Sequence, residues 1–300
     1  RLVMWFRNLL VYRLANWKST PQAIEEKLAQ HALQPCSGME SQRMGWVPPK
    51  GEGEPLVHAQ GAQLLISLGV EKKLLPATVV RQFTQARAAE LEEQQGYKPG
   101  RKQMKQLKEA VTDELLPRAF AIRRKTYVWI DPQGGWLVVD AGSLAKGDEV
   151  VEMLVKSLGE LALNFLHTEV SPTAAMTGWL AGDELPSTFT VDKDCELRDS
   201  GEEKATVRYV RHTPEADEVT RHIRAGKEVT RLALTWHDRF SFVLHDNLQI
   251  KRLAPLDLLK EQAEEDGNED MFDADFALMS GELRKLLPAL VELLGGEKHA

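Results

Sequence analysis

The side chains best placed for chemistry are the carboxylates of Phe272-Asp273-Ala274-Asp275-Phe276, with Glu282 a short distance on. Carboxylates this close could hold Mg²⁺ for phosphodiester hydrolysis. A plainer account is available and is the better supported one. Acidic residues at a helix start complement its dipole, and Phe272, Phe276 and Met279, at steps of four and three, form one buried stripe. The eight histidines are dispersed without paired ligand spacing, and Cys36 and Cys195 build neither a disulfide framework nor a Cys-only zinc site. No GxxxxGK[ST], no GxGxxG after a strand, no GxSxG and no HExxH occurs, so the common nucleotide, hydrolase and zinc-protease mechanisms lack their parts. His237-Asp238 and Asp246-Asn247 read as hairpin turns. Neither a cofactor nor a metal is expected.

Charge is the more informative signal. The chain carries a formal charge of −7, which argues against a uniformly basic nucleic-acid binder. The average hides two opposite segments. Lys98 to Lys125 holds nine basic residues against three acidic, whereas Lys260 to Ala300 holds four against eleven, with Glu264-Glu265-Asp266 and Asp270, Asp273 and Asp275 clustered. Lysines and arginines that neutralise phosphates displace condensed counterions and give tight, salt-sensitive, sequence-indifferent attachment. The alternative is that they only solubilise an exposed helix. No zinc finger or helix-turn-helix reads base edges here. Phe120, beside Arg118, Arg123 and Arg124, could enter a partner's pocket, wedge against DNA or pack into its own core; residue type alone favours the core.

These residues need elements to position them. With 300 residues, 43% hydrophobic and 28% charged, the composition is that of a globular protein of one to three domains. No stretch is apolar enough to span a bilayer, and Arg7 and Arg13 interrupt the apolar start, so no secretory leader is expected and a cytoplasmic location is. Arg1-Leu2-Val3 precede a plausible initiator, Met4, and are expected to be a remnant.

Trp5 to Leu14 predicts a strand, Thr20 and Pro21 open a helix reaching His31, and Gly45-Trp46-Val47-Pro48-Pro49 forbids regular structure. Leu64 to Leu68 is a short buried strand. Helices from Pro76 and from Arg101 to Leu116, joined at Gly96 to Gly100, make a hairpin that projects from a sheet; Met104, Leu107, Val111 and Leu115 can pack while Arg101, Lys105 and Lys108 stay charged. The chain returns as strands over Tyr127–Asp131 and Trp136–Asp140, then helices over Leu144–Leu158 and from Pro172 towards Gly182. Strands are expected over Phe189–Leu197, Ala205–Arg211, Glu228–Trp236, Phe240–His245 and Leu248–Leu253. A last helix from about Asp273 to Leu294 should kink at Pro288.

Several blocks in this order, Met4 to Leu14, Met44 to Pro49, Leu115 to Phe120, Val128-Trp129-Ile130-Asp131 and Phe272 to Leu283, resemble the bacterial RdgC family of recombination-associated proteins nearly end to end. The resemblance implies an α+β fold: a curved three-part subunit with a central sheet domain (4–75 and 126–167), an inserted helical-hairpin tip (76–125) and a β-rich base domain (168–300). It further implies a non-enzymatic homodimer whose ring encircles double-stranded DNA without sequence preference, limits access of RecA during recombination and replication-fork repair, and associates with the nucleoid. Some descriptions of the family say exonuclease, for which Asp273, Asp275 and Glu282 are the candidate residues. Carried over by position, Arg118 faces DNA and Phe120 becomes the tip aromatic that docks on the second subunit. Arg211, His212 and Lys227 become a lining supplied by the base domain, with His212 adding pH dependence. Lys98 sits in the tip turn, whose composition varies, and Lys72, Lys73, Arg123, Arg124 and Lys125 are candidates for DNA contact on charge alone, with ordinary solvated charge as the alternative.

Overall fold

In the computed structural model, residues 2–212, 216–257, 259–261 and 270–299 are described. The acidic run Glu264-Glu265-Asp266 lies outside them. The chain is α+β, with two antiparallel sheets.

The first sheet contains β1 (Leu10–Ala15), β2 (Gln42–Val47), β3 (His58–Gln60), β4 (Gln63–Lys73), β5 (Ala121–Asp131), β6 (Trp136–Val139) and β7 (Ala162–Phe165). The order is β2-β4-β5-β6-β1-β7, with β3 also on β4. Because side chains alternate along a strand, a sheet covered on both faces reads as a continuous apolar run. Leu64, Ile66, Leu68, Val128, Ile130, Leu137 and Val139 go to one face. There α1 (Pro21–Ala29) supplies Ile24 and Leu28, and α4 (Leu144–Leu158) supplies Val150 and Leu154. Leu65, Trp129, Trp136 and Val138 go to the other.

The second sheet has the order β12-β11-β10-β8-β9, from β8 (Phe189–Asp199), β9 (Thr206–Tyr209), β10 (Lys227–Trp236), β11 (Phe240–His245) and β12 (Ile250–Pro255). One core joins Trp129 and Leu65 of the first sheet, Leu197, Leu232 and Leu244 of the second, and Phe276, Met279, Leu283, Leu286 and Leu290 of α7 (Met271–Leu293). The stripe expected on that helix is therefore the buried one, and α7 runs through Pro288 without interruption. The helix α5 (Pro172–Ala181), capped by Ser171, packs on β10; α6 (Ala216–Arg224), held by Val219, has no counterpart in the expected elements.

Three expectations are corrected. Trp5 to Leu9 is not strand: Met4, Phe6 and Leu9 are buried, and Leu9 exchanges backbone hydrogen bonds with Ile250, linking the chain's start to the second sheet. Gly45 to Val47 is regular after all. Gly45 lies in β2, where a Cβ would sit 2.4 Å from the Leu33 nitrogen, so glycine lets the post-α1 segment approach and hydrogen-bond Trp46. The β4–β5 ladder is longer than expected, pairing Leu64 with Ile130 and Lys73 with Ala121. Arg123, Arg124 and Lys125 consequently stand on β5, at the root of the hairpin and not on its helices.

That ladder carries the hairpin. The helix α2 (Ala77–Gln95) ends on left-handed Gly96, and Gln103 accepts a hydrogen bond from the Gly100 N–H at the start of α3 (Arg101–Leu115). The seam between the helices is thin: Val80, Thr84 and Val111 are buried, Met104 and Leu107 half-buried, and Arg87 bridges to Glu114 at 3.1 Å. A short 3₁₀ turn, Leu116–Arg118, returns the chain to β5.

Candidate nucleic-acid interface

The expected site residues fall into two groups. On the hairpin and its root, Lys98, Arg118 and Arg124 are exposed and make no ion pair or side-chain hydrogen bond among the described residues. Phe120 is 85% exposed, which overturns the core placement favoured by residue type alone. Its carbonyl accepts from the Leu74 N–H, so the backbone is fixed while the ring stands in solvent. Arg123 donates to Glu71 at 2.9 Å, and Lys125 donates to the Pro48 carbonyl at 2.8 Å. Glu71 also takes the Cys36 N–H; that bond, then Arg123, holds its carboxyl below the usual range. Unpaired cations thus stand at both ends of the hairpin, Lys98 at its turn and Arg118 and Arg124 at its root, where the ring of Phe120 is also exposed.

The second group belongs to the five-stranded sheet. Arg211 is exposed but lies beyond β9, which ends at Tyr209. The strand stops because Arg211 adopts φ 53° and gives its N–H to Asp194 at 2.6 Å. Asp194 also binds Arg252 at 3.1 Å; the Arg211 N–H, then Arg252, lowers its pKa. His212 stacks on Tyr209 with ring centroids 6.1 Å apart. Lys227 does not join them. It pairs in register with Asp199, two residues beyond the buried Leu197–Val229 pair and therefore on the core-side face, and its side chain is only 14% exposed.

Sequence reasoning missed the row on the opposite face. Register places Arg208 of β9, Glu196 of β8, Arg231 of β10 and His245 of β11 side by side. Glu196 receives Arg198 at 3.0 Å, Arg208 through two nitrogens, Thr230 at 3.0 Å and Arg231 at 3.6 Å. Burial would raise its pKa, but Arg208, Thr230 and Arg231 hold it below normal. The alternation of Arg208 and Val207 was visible in the sequence; that three arginines meet one carboxylate needed the cross-strand register.

His245 gives this row a pH signature. Burial, then the charges of Lys251 and Arg231, lower its pKa from 6.5 to about 4. The unfolded chain takes up this proton near pH 6.5 and the folded one only near 4. Stability is therefore whole above about pH 6.5 and lost as pH falls towards about 4, by about 3 kcal/mol. Melting temperatures from neutral to acid pH should fall less steeply for His245→Gln than for the parent; parallel profiles would remove His245 from the account.

The three candidate metal carboxylates do not converge. Asp273 binds Lys50 at 3.0 Å and His58 at 3.3 Å. Asp275, buried, accepts the backbone N–H groups of Val3 and Met4. Glu282, 5% exposed, forms a two-point pair with Arg239, each contact 2.8 Å, and meets Lys285 at 3.3 Å. Among the described residues no three His, Cys, Asp or Glu side chains group as a metal site. No described helix is long and apolar enough to cross a membrane.

Fold and site together define an α+β protein of two antiparallel sheets with an inserted, basic helical hairpin and acidic residues held in structural pairs. A family model described as "Putative exonuclease, RdgC" matches residues 4–297. A recombination-associated protein RdgC from Herminiimonas arsenicoxydans is 59% identical, covering 98% of this chain and 99% of that protein. Proteins of the same name from Janthinobacterium sp. (strain Marseille), covering 98% and 99%, and from Bordetella pertussis, covering 99% and 100%, are 58% and 55% identical. The chain belongs to the RdgC family.

Proposed function

We propose that this chain acts in DNA recombination as a non-enzymatic, sequence-independent binder of double-stranded DNA. Two subunits, each a central sheet domain, a hairpin tip and a base domain, close into a ring around the duplex. The bound ring obstructs RecA during recombination and replication-fork repair, in the cytoplasm at the nucleoid. The observation that carries this is the set of exposed, unpaired cations on the thin hairpin and its root, Lys98 at the turn and Arg118 and Arg124 at the root, with Phe120 exposed at the root as well. Such cations engage the phosphate backbone and specify no base. The relatives' names place them in recombination, which supports the choice of DNA as the polyanion. Closed two-fold assembly uses the same patch of both subunits at each interface, and one aromatic per tip supplies an apolar, self-complementary contact.

The metal-dependent exonuclease is the second account, and the divergence of Asp273, Asp275 and Glu282 speaks against it. Labelled duplex incubated with the protein and Mg²⁺ or Mn²⁺ should be shifted in mobility and remain full length. Shortened products that disappear with Asp275→Asn would reverse the assignment.

The small tip contact is the gate for loading on DNA without ends. Since Phe120 is almost wholly exposed within its own subunit, Phe120→Ala should fold normally. It should leave covalently closed duplex about tenfold faster or more, the consequence of losing an apolar contact in both tips. Unchanged loading and dissociation on closed circles would dismiss Phe120 as the gate.

A further inference from the structure

The row on the second sheet carries more positive charge than its own structure requires. A buried carboxylate is satisfied by one well-placed cation and its hydrogen bonds. Glu196, 1% exposed, is met by three arginines, whose side chains remain 36%, 57% and 42% exposed at Arg198, Arg208 and Arg231. Guanidinium groups stay charged at any working pH, so the cluster keeps a surplus of two positive charges. Arg208 spends Nε and one terminal nitrogen on Glu196, while Arg198 and Arg231 each approach it through one terminal nitrogen. Each guanidinium retains donors directed elsewhere. The surroundings carry both signs: Glu228 pairs in register with Arg198, and at His245 burial, then Lys251 and Arg231, outweigh Asp246 and Glu196. Along the same face of β8, Asp194 holds Arg252 and the backbone of Arg211.

We infer that Glu196 is a positioning residue that locks Arg198, Arg208 and Arg231 into a rigid array, and that this array takes a phosphodiester of the duplex backbone on the outer face of the five-stranded sheet. The inference rests on the DNA-binding function proposed above and adds to it a contact region outside the hairpin. Arginine's planar fork matches a phosphate through two parallel N–H bonds, and a buried carboxylate behind it removes the entropy of orienting a long side chain. Lysine in the same place would supply charge without the fork.

Two variants of the full chain separate positioning from charge. Glu196→Gln adds one net positive charge, so a purely electrostatic surface would bind duplex more tightly; the positioning account expects weaker binding by about tenfold. Arg198→Lys with Arg208→Lys keeps the charge and removes both forks, and the same loss is expected, with a log–log salt slope shallower by about one. Affinity is measured on a labelled duplex of arbitrary sequence, with circular dichroism and melting temperature confirming the fold. Where Glu196→Gln fails to fold, the lysine pair decides. If the folded lysine pair binds like the parent while Arg118→Ala weakens binding, the array is a structural clasp on β9 and this inference alone fails. If the parent itself does not bind duplex, the proposed function fails with it.

Discussion

Arg239→Ala should lower the stability of the protein by about 3–5 kcal/mol, the cost of leaving a buried carboxylate without its main partner. Arg239 sits on the turn between β10 and β11, and both Glu282 oxygens are engaged by its guanidinium at 2.8 Å. Glu282 is 5% exposed on α7, so the pair clamps the β10–β11 turn of the second sheet onto the helix at the edge of the shared core. Lys285 touches Glu282 too, but its side chain is 68% exposed and water screens it. Glu282→Gln should cost less than Arg239→Ala, because the amide still accepts a hydrogen bond and leaves no buried charge. Chemical denaturation gives the answer as a shift in midpoint. A loss below about 1 kcal/mol for Arg239→Ala would mean that Glu282 is satisfied some other way, and the structural assignment of this carboxylate would fall.

Replacing Arg118 and Arg124 together by alanine should weaken duplex binding by about a hundredfold at low salt, since each charge-assisted contact to phosphate is worth roughly a factor of ten or more. The log–log salt slope should shrink by about two, reflecting two fewer phosphates engaged. Stability should hardly move. Both side chains are exposed and unpaired among the described residues, so their removal takes away no internal contact. Arg123→Ala is the informative comparison. It also removes a hairpin-root charge, but Arg123 is committed to Glu71 at 2.9 Å, so its loss should affect the β4–β5 ladder more than DNA affinity. A loss from Arg123→Ala equal to that from Arg118→Ala or Arg124→Ala alone would show that only net charge matters.

What could be read from the residues follows the range of the forces involved. Helix caps and turns are local: Thr20 accepts the Ala23 N–H, Ser171 caps α5, and left-handed His237 and Asp238 close the β10–β11 hairpin. Periodicity gave the apolar stripe of α7 and the charged hairpin in the same way. Gly45 was misjudged because a glycine and two prolines near one another suggest irregular backbone, whereas the real constraint is the close approach of the Leu33 segment that follows α1, which residue type does not announce. The extension of β5 to Ala121 was missed because Arg123, Arg124 and Lys125 offer no hydrophobic alternation; pairing with Glu71, Val70 and Gly69 respectively makes them strand. The Glu196 cluster was hidden for a related reason, since its arginines come from three strands. Long-range register, not residue type, decides such sites.

The central claim is phosphate-dominated attachment to duplex DNA regardless of sequence. Its most direct test is the affinity of the intact protein for several unrelated duplexes across a salt series. Nearly equal affinities are predicted at each salt concentration, with log affinity falling linearly against log salt by about 0.9 per phosphate engaged. Affinities that differ strongly between sequences, or that are indifferent to salt, would contradict the account.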